Sequence, residues 1–495
     1  MALSEEGQVF SWGWGHLGQL GHGDTKSTFQ PTLVESLATA GLSIIHISAG
    51  GAHSGCIDSN NECYTWGSCS YGQLGIKMEN ETSPVKSFIS VPTIVLLPQV
   101  EQREQQPLRG TRISCGGLHT AVVDLEGNVY CWGKADSGQT GYADWYLGFS
   151  PALPTPRRVE HYPTFPPVVT MPAASGQGAG VGVPRPLRAV DVSCGGFHTL
   201  ILMEDGSVYA FGKQDFGLLG TGVGTGSAPP MTHVTTPATA AVNVTSLRYN
   251  EIEQSAETPT LVSLTCDLPM KQVSTGGWHS ALLTAEGGEL YTCGKGEYGR
   301  LGLGDEITRL LPSLVRIIRS GETGGAGGVK AATDDQIAQV SAGGSHTLMR
   351  TKSGSVYVVG RVDGGRLGLG YCDSYMKEPP RSSANGNGMN QKLDRKLTPV
   401  CLDPCLHLYY PSDTAEDAEE RHRPQSTVKN HCVLQVAAGG SHSAILVDYS
   451  DTSGANNDCN DATTHTKVMD FICHVEQKIR QIEEAVDLES VPRVK

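Results

Sequence analysis

The chain has 495 residues, with 37 Lys and Arg against 51 Asp and Glu and a formal net charge of −14. That balance argues against a nucleic-acid partner, whose phosphates must be neutralised by Lys and Arg, and no apolar run of about 18 residues offers a membrane span. Glycine, at 61 residues, is well above the usual share of about 7%, yet it does not recur at every third position, which excludes a collagen-like chain.

The chain opens Met1-Ala2-Leu3-Ser4-Glu5-Glu6-Gly7, without the basic and apolar regions of a secretory signal. A cytoplasmic or nuclear location is therefore expected, with scattered thiols kept reduced. From Val9 onward the glycines become periodic. An apolar residue followed by Gly-x4-Gly-x2-Gly appears at Trp12-Gly13, Trp66-Gly67, Trp132-Gly133, Phe211-Gly212, Cys293-Gly294 and Val359-Gly360. A second pattern, Gly-Gly-x-His, ends at His53, His119, His198, His279, His346 and His442.

From each histidine to the next patterned glycine is 14 residues in four units: His53 to Gly67, His119 to Gly133, His198 to Gly212 and His346 to Gly360. The span from His279 to Gly294 holds one residue more, near Gly287-Gly288. Inside such a span an apolar run, a polar turn ending in Gly and a β-rich run follow one another, as in Ala121-Val122-Val123, Asp124 to Gly127 and Val129-Tyr130-Cys131-Trp132. This predicts a β-hairpin. The stretch from patterned glycine to the next histidine ranges from 40 to 82 residues, so each unit joins a rigid hairpin to a tolerant loop. Strand units that cannot bury their own faces must stack or close into a ring, and a propeller of four-stranded blades does so.

Residues 142–188, 221–258, 320–335 and 373–430 are rich in Pro, Gly, Ala, Thr or charge and are expected to be disordered insertions. The first unit lacks a preceding Gly-Gly-x-His and the last, Gly439 to Val447, lacks a following Trp-Gly strand. The two halves complement each other, so the first strands are expected to pair with 433–447 in one blade. Residues 449–466 read as a polar linker. Over 467–487, Val468, Ile472, Val475, Ile479, Ile482 and Val486 step by four and three, which predicts an amphipathic helix with coiled-coil spacing, to dock on the propeller or to pair with a partner or a second copy.

The motif Gly-x-Val-Tyr-x-Trp-Gly-x4-Gly-Gln-Leu-Gly followed by Gly-Gly-x-His-Thr, clearest at 61–75, 116–133 and 343–368, resembles the regulator of chromosome condensation repeat family. The resemblance implies an all-β propeller of six or seven blades, here with six recognisable repeats over 1–448. It also implies a possible role of the family's founding member, nucleotide exchange on a small GTPase through acidic and polar turns on one face. The residues before the six histidines are Ala52, Leu118, Phe197, Trp278, Ser345 and Ser441, none acidic, and no patterned glycine is followed by a wedge-like insertion.

Leu118, Phe197 and Trp278 occupy equivalent turns in three consecutive units. They either form an apolar partner surface or pack within their own blades. The six repeated histidines are expected to hold turns rather than to catalyse. Gly13 to Gly18 and Gly294 to Gly299 fit a dinucleotide fingerprint, but neither opens a helix in a βαβ unit. Cys401, Cys405, His407, His431 and Cys432 are read as free loop residues rather than soft-metal ligands. No cofactor, metal or catalytic group is therefore expected. The functional expectation is a protein-interaction platform with an unidentified protein partner; the alternative is a guanine nucleotide exchange factor or regulator of a small GTPase.

Overall fold

The computed structural model describes residues 1–77, 87–99, 105–142, 152–160, 187–223, 249–250, 255–264, 266, 268–317, 335–369, 395–402, 432–448 and 467–470. It forms two compact units, one of Met1–Lys295 with Thr308–Ser313 and one of Gly296–Ile307 with Leu314–Lys495.

The first unit begins with a three-stranded sheet of β1 (Ala2–Leu3), β2 (Val9–Gly13) and β3 (Thr28–Leu33), followed by the short helix α1 (Glu35–Thr39). Antiparallel sheets then follow in chain order. The first holds β4 (Ile44–Ala49), β5 (His53–Asp58), β6 (Cys63–Ser68) and β7 (Phe88–Ile94). The next holds β8 (Gly110–Cys115), β9 (His119–Asp124), β10 (Val129–Lys134) and β11 (Ala152–Arg158). A five-stranded sheet holds β12 (Ala189–Cys194), β13 (His198–Met203), β14 (Val208–Lys213), β15 (Tyr249–Asn250) and β16 (Ser255–Leu261). The last holds β17 (Met270–Thr275), β18 (His279–Thr284), β19 (Leu290–Gly294) and β20 (Arg309–Leu314), of which only Leu314 lies outside this unit. The second unit carries β21 (Ile337–Ala342), β22 (His346–Thr351), β23 (Val356–Arg361) and β24 (Arg395–Leu402) in one sheet, and β25 (Cys432–Ala438), β26 (Ser443–Asp448) and β27 (Lys467–Asp470) in another.

The fixed spacing of the repeat is a hairpin register. Across the antiparallel pairs His53 faces Gly67, His119 faces Gly133, His198 faces Gly212 and His346 faces Gly360. His279 faces Gly294 as well, and the extra residue of that unit is absorbed by two successive left-handed glycines, Gly287 and Gly288, at φ 73° and 61°. The patterned glycine cannot be replaced without strain. At Gly133, φ is +106° and a Cβ would stand 2.6 Å from the Leu118 carbonyl oxygen and 2.7 Å from His119 Cα.

The histidine strand of each sheet is buried along its length in β5, β9, β13 and β18. It is hydrogen-bonded on both edges and covered on both faces, so its sequence reads as an apolar run rather than an alternation. The core lies between successive sheets. Ala121, Val123 and Cys131 of one sheet pack with Val192, Ile201 and Phe211 of the next. Leu200, Leu202 and Val208 pack in turn with Met270, Val273 and Leu282. In the second unit Leu348, Val356 and Val358 pack with Val433, Val436 and Ile445.

Three expectations are corrected. The insertions expected to be disordered supply strands: β11 lies within 142–188, β16 overlaps 221–258, and β24 lies within 373–430. Their ladders join Tyr130 to Arg158, Ala210 to Thr260, and Val358 to Val400. Second, 9–13 and 443–447 do not share a sheet. Both edges of β2 are taken, by β1 and β3, and both edges of β26 by β25 and β27. The segments remain complementary in type, because β2 and β3 hold the third and fourth strand positions of the repeat and β25 and β26 the first and second. Third, 467–470, the expected start of the helix, is a strand that pairs Val468 with Leu446; the helix residues 471–487 lie outside the described residues.

Candidate protein-interaction site

Two turns of each unit meet. The carbonyl of the residue before the histidine accepts a hydrogen bond from the N–H of the residue after the patterned glycine. Leu118 O thus receives Lys134 N, Phe197 O receives Lys213 N and Trp278 O receives Lys295 N, each at 2.9 Å. This pairing sets a lysine stem beside each Gly-Gly-x-His turn. The Gly-Gly turns of successive units also bind one another, with Gly51 N donating to Gly116 O and Gly117 N to Gly195 O, both at 3.0 Å, and Gly196 N to Gly276 O at 3.1 Å. A Cβ on Gly116 would stand 2.6 Å from Gly195 O.

Phe197 and Trp278 come together, their ring centroids 4.7 Å apart and tilted by 44°. Phe216 meets Trp278 edge-on at 5.9 Å. Phe216 holds a left-handed backbone at φ 58°, a conformation that costs about 1 kcal/mol or more for a bulky side chain and that places its ring in this cluster. Lys213 Nζ lies 5.6 Å from the centroids of both Phe197 and Trp278, and Lys295 Nζ lies 5.3 Å from Phe216 and 5.9 Å from Trp278. Such cation–π contacts contribute about 0.5–2 kcal/mol, more as water is excluded. Lys213 also pairs with Asp215 at 3.0 Å and Lys134 with Asp136 at 2.9 Å, and Lys134 covers the exposed Tyr71 at 5.2 Å. Phe197, Phe216 and Trp278 are half-buried. Leu118, half-buried in its equivalent turn, stands outside the ring contacts.

The sequence named Phe197 and Trp278 as candidates; the structure brings Phe216, Lys213 and Lys295, which it did not name, into contact with them. Their signal is a column: Lys134, Lys213 and Lys295 each follow the patterned glycine, and Asp136, Asp215 and Glu297 follow two residues later.

The repeated histidines lie elsewhere. His53, His119, His198, His279 and His346 are buried, whereas His442 is exposed. His53 Nε2 lies 2.8 Å from Thr120 Oγ1, His119 Nε2 2.8 Å from Thr199 Oγ1, His198 Nε2 2.8 Å from Ser280 Oγ and His346 Nε2 2.9 Å from Ser443 Oγ. Each hydroxyl in turn donates its one proton to a carbonyl, of Gln73, Gln139, Leu218 or Arg366 respectively. The imidazole Nε2–H is therefore the donor to the hydroxyl, which fixes the tautomer, and the Nδ1 atoms of these four rings are buried without a hydrogen-bond partner among the described residues. Burial holds His53 down at about 4 and His119, His198 and His346 at about 3, so the rings are neutral at neutral pH.

Among the described residues no group of three or more His, Cys, Asp or Glu side chains could hold a metal ion. Cys401 is exposed on β24, and Cys405, His407 and His431 lie outside the described residues. No helix among the described residues is long and apolar enough to cross a membrane.

The regulator of chromosome condensation (RCC1) repeat model matches residues 6–57, 60–123, 205–283 and 287–349, and a second model of the same repeat matches 111–139, 189–218, 270–300 and 337–363. The chain is 27% identical over 395 residues to the human E3 ubiquitin-protein ligase HERC2, covering 79% of this chain and 6% of that protein. It is 27% identical over 371 residues to the ultraviolet-B receptor UVR8 of Arabidopsis thaliana, covering 75% of this chain and 64% of the receptor. Among solved structures, Prp20p of Saccharomyces cerevisiae, which has binding properties toward Gsp1p and histones, matches with a TM-score of 0.55 and 18% identity over 98% of this chain and 83% of its own. Human WBSCR16 matches with a TM-score of 0.53 and 18% identity over 88% and 79%. These likenesses establish the fold as a β-propeller, and the repeat matches establish the family: the chain belongs to the regulator of chromosome condensation repeat family.

Proposed function

We propose that the chain is a protein-interaction platform and that the turns bearing Phe197, Trp278, Phe216, Lys213 and Lys295 are its binding surface. The observation that carries this reading is the aromatic cluster itself. Three half-buried rings, two from one repeat and one from the next, meet under two lysine stems, the mixture of large rings and cations from which binding hot spots are built. The repeated histidines are proposed to serve the fold, since His53, His119, His198 and His346 are buried, neutral and bonded to a hydroxyl of the next repeat.

A double variant, Phe197→Ala with Trp278→Ala, tests it. Proteins captured by the tagged wild-type chain should be lost with the variant, while the melting midpoint stays within a few degrees because the rings are only half-buried. An unchanged set of captured proteins at an unchanged midpoint would sink the proposal.

A second reading, regulation of a small GTPase by nucleotide exchange, draws support from the fold shared with Prp20p and its binding of Gsp1p. Against it, none of the Gly-Gly-x-His turns is acidic, although Asp136 and Asp215 stand in the adjoining turns. Release of a labelled nucleotide from candidate GTPases, accelerated by the wild-type chain, separates this reading from the first.

A further inference from the structure

The second unit carries a cluster of three guanidinium groups that the interaction surface just described does not use. Arg300 is 2% exposed and Arg366 7%, and Arg361 stands nearer the surface, its side chain 35% exposed. All three converge on Tyr298 and two carboxylates. The Arg361 guanidinium lies 4.7 Å from the Tyr298 ring centroid and that of Arg300 5.6 Å. Asp363 is shared, its Oδ1 2.6 Å from Arg361 Nε and 3.2 Å from Arg366 Nη2. Glu297 reaches Arg300 Nη2 at 3.6 Å, beyond hydrogen-bond range. A third carboxylate, Glu306, accepts the Tyr298 N–H at 2.9 Å and pairs with Arg395 at 2.9 Å; Glu297 and Asp363 are both 44% exposed while Arg300 and Arg366 are buried.

The buried pair is held by backbone carbonyls as well as by these carboxylates. Arg300 Nε donates to Glu297 O at 2.9 Å and Nη1 to Gly344 O at 3.3 Å, and Arg366 Nε donates to Asp363 O at 2.8 Å. Burial lowers the pKa of both Arg300 and Arg366, against the opposing pull of Glu297 and Asp363. Tyr298 adds an independent sign of a built site. It is one of three non-glycine residues with positive φ among the described residues, at 63°. Strain of this kind persists where the surroundings over-determine it, commonly at binding sites. Here it sets the ring 4.7 Å from the Arg361 guanidinium and 5.6 Å from that of Arg300.

We propose that Arg361 and the outer edge of Arg366 form an anion-binding site that receives an oxyanion side chain, phosphate or carboxylate, of a protein partner. Arg300 is a positioning residue that fixes Tyr298 and adds its field from a low-dielectric setting, where charge acts over longer range than in water. The fork of a guanidinium matches both oxyanions bidentately. The proposal rests on the platform reading, whose aromatic surface lies in the first unit.

The test uses the full chain and arrays of degenerate peptides that hold phosphoserine, glutamate or serine at one fixed position. Phosphoserine or glutamate peptides should bind at least about tenfold better than the serine peptides, with the preferred anion identifying the source. The preference should weaken with added salt and be competed by inorganic phosphate. Arg361→Gln, a partly exposed position, should remove the preference with an unchanged melting midpoint, whereas Phe197→Ala with Trp278→Ala should leave it intact. Equal binding of all three peptide classes, or a preference that survives Arg361→Gln, would overturn the site. Loss of captured partners in the aromatic variant with no anion preference in the wild type would reject this site while sparing the platform.

Discussion

Thr120 has one hydroxyl proton and two neighbours that use the oxygen. The proton goes to Gln73 O at 2.7 Å and the oxygen accepts from His53 Nε2 at 2.8 Å. Trp132 Nε1 donates to the same carbonyl at 2.9 Å. Thr120→Val keeps the shape but leaves the His53 donor buried and unmatched, while Gln73 O keeps its indole donor. The expected loss is about 1–3 kcal/mol, read from urea unfolding. Thr120→Ser should fall within about 0.5–1.5 kcal/mol of wild type, because Ser280 and Ser443 make the same bonds to His198 and His346. A valine variant as stable as the serine variant would show that the hydroxyl relay does not hold the units together. The histidine column was legible in the sequence because an identical residue returns at an identical spacing. Phe216 was not, because its neighbours in the column are Leu17, Tyr71, Ser137, Tyr298 and Gly364, and its role depends on a left-handed backbone that residue type does not announce.

At the scale of elements, the inner hairpin was readable and the outer strand was not. The hairpin has local register and a turn of fixed length, whereas the outer strand returns after loops of any length and is too exposed to be written in apolar residues: β3 and β7 contain no buried residue. A signal existed nonetheless. Pro31-Thr32, Pro92-Thr93, Pro154-Thr155, Pro259-Thr260 and Pro312-Ser313 recur in β3, β7, β11, β16 and β20. Proline suits this place because it lacks a ladder donor and is tolerated on outer strands. Composition pointed to disorder at 142–188, yet β11 there pairs with β10, leads into the buried Val159 and sets Arg157 4.0 Å over the Tyr142 ring. Replacing Ala152–Arg158 by a Gly/Ser segment of equal length should therefore lower the thermal midpoint by several degrees, about 2–4 °C for each kcal/mol lost. An unchanged midpoint in calorimetry would mean that the outer strand is dispensable.

For the molecule as a whole, the repeated histidines tie folding to pH. His53, His119 and His198 sit at about 4, 3 and 3 in the folded first unit, whereas an unfolded chain holds histidine near 6.5. The cause is burial first, and Nδ1 has no hydrogen-bond partner among the described residues, so a second proton would create an unpaired internal cation. With folded values below the unfolded one, the unfolded chain binds more protons between about 6.5 and about 4. The stabilisation is complete above about 6.5 and is lost as the pH falls through this window. Each histidine contributes a slope of about 1.4 kcal/mol per pH unit, roughly 4 for the three together. Carboxylates add their own dependence on acidification, so the histidine part is isolated by difference. His119→Gln retains an amide N–H that can donate to Thr199 and removes one titrating ring. Urea unfolding of wild type and variant from neutral pH to about 5 should give a slope shallower by about one proton in the variant. Parallel slopes would mean that His119 takes its proton in the folded state near the ordinary pH, and that the relay of imidazole and hydroxyl does not enforce the neutral ring.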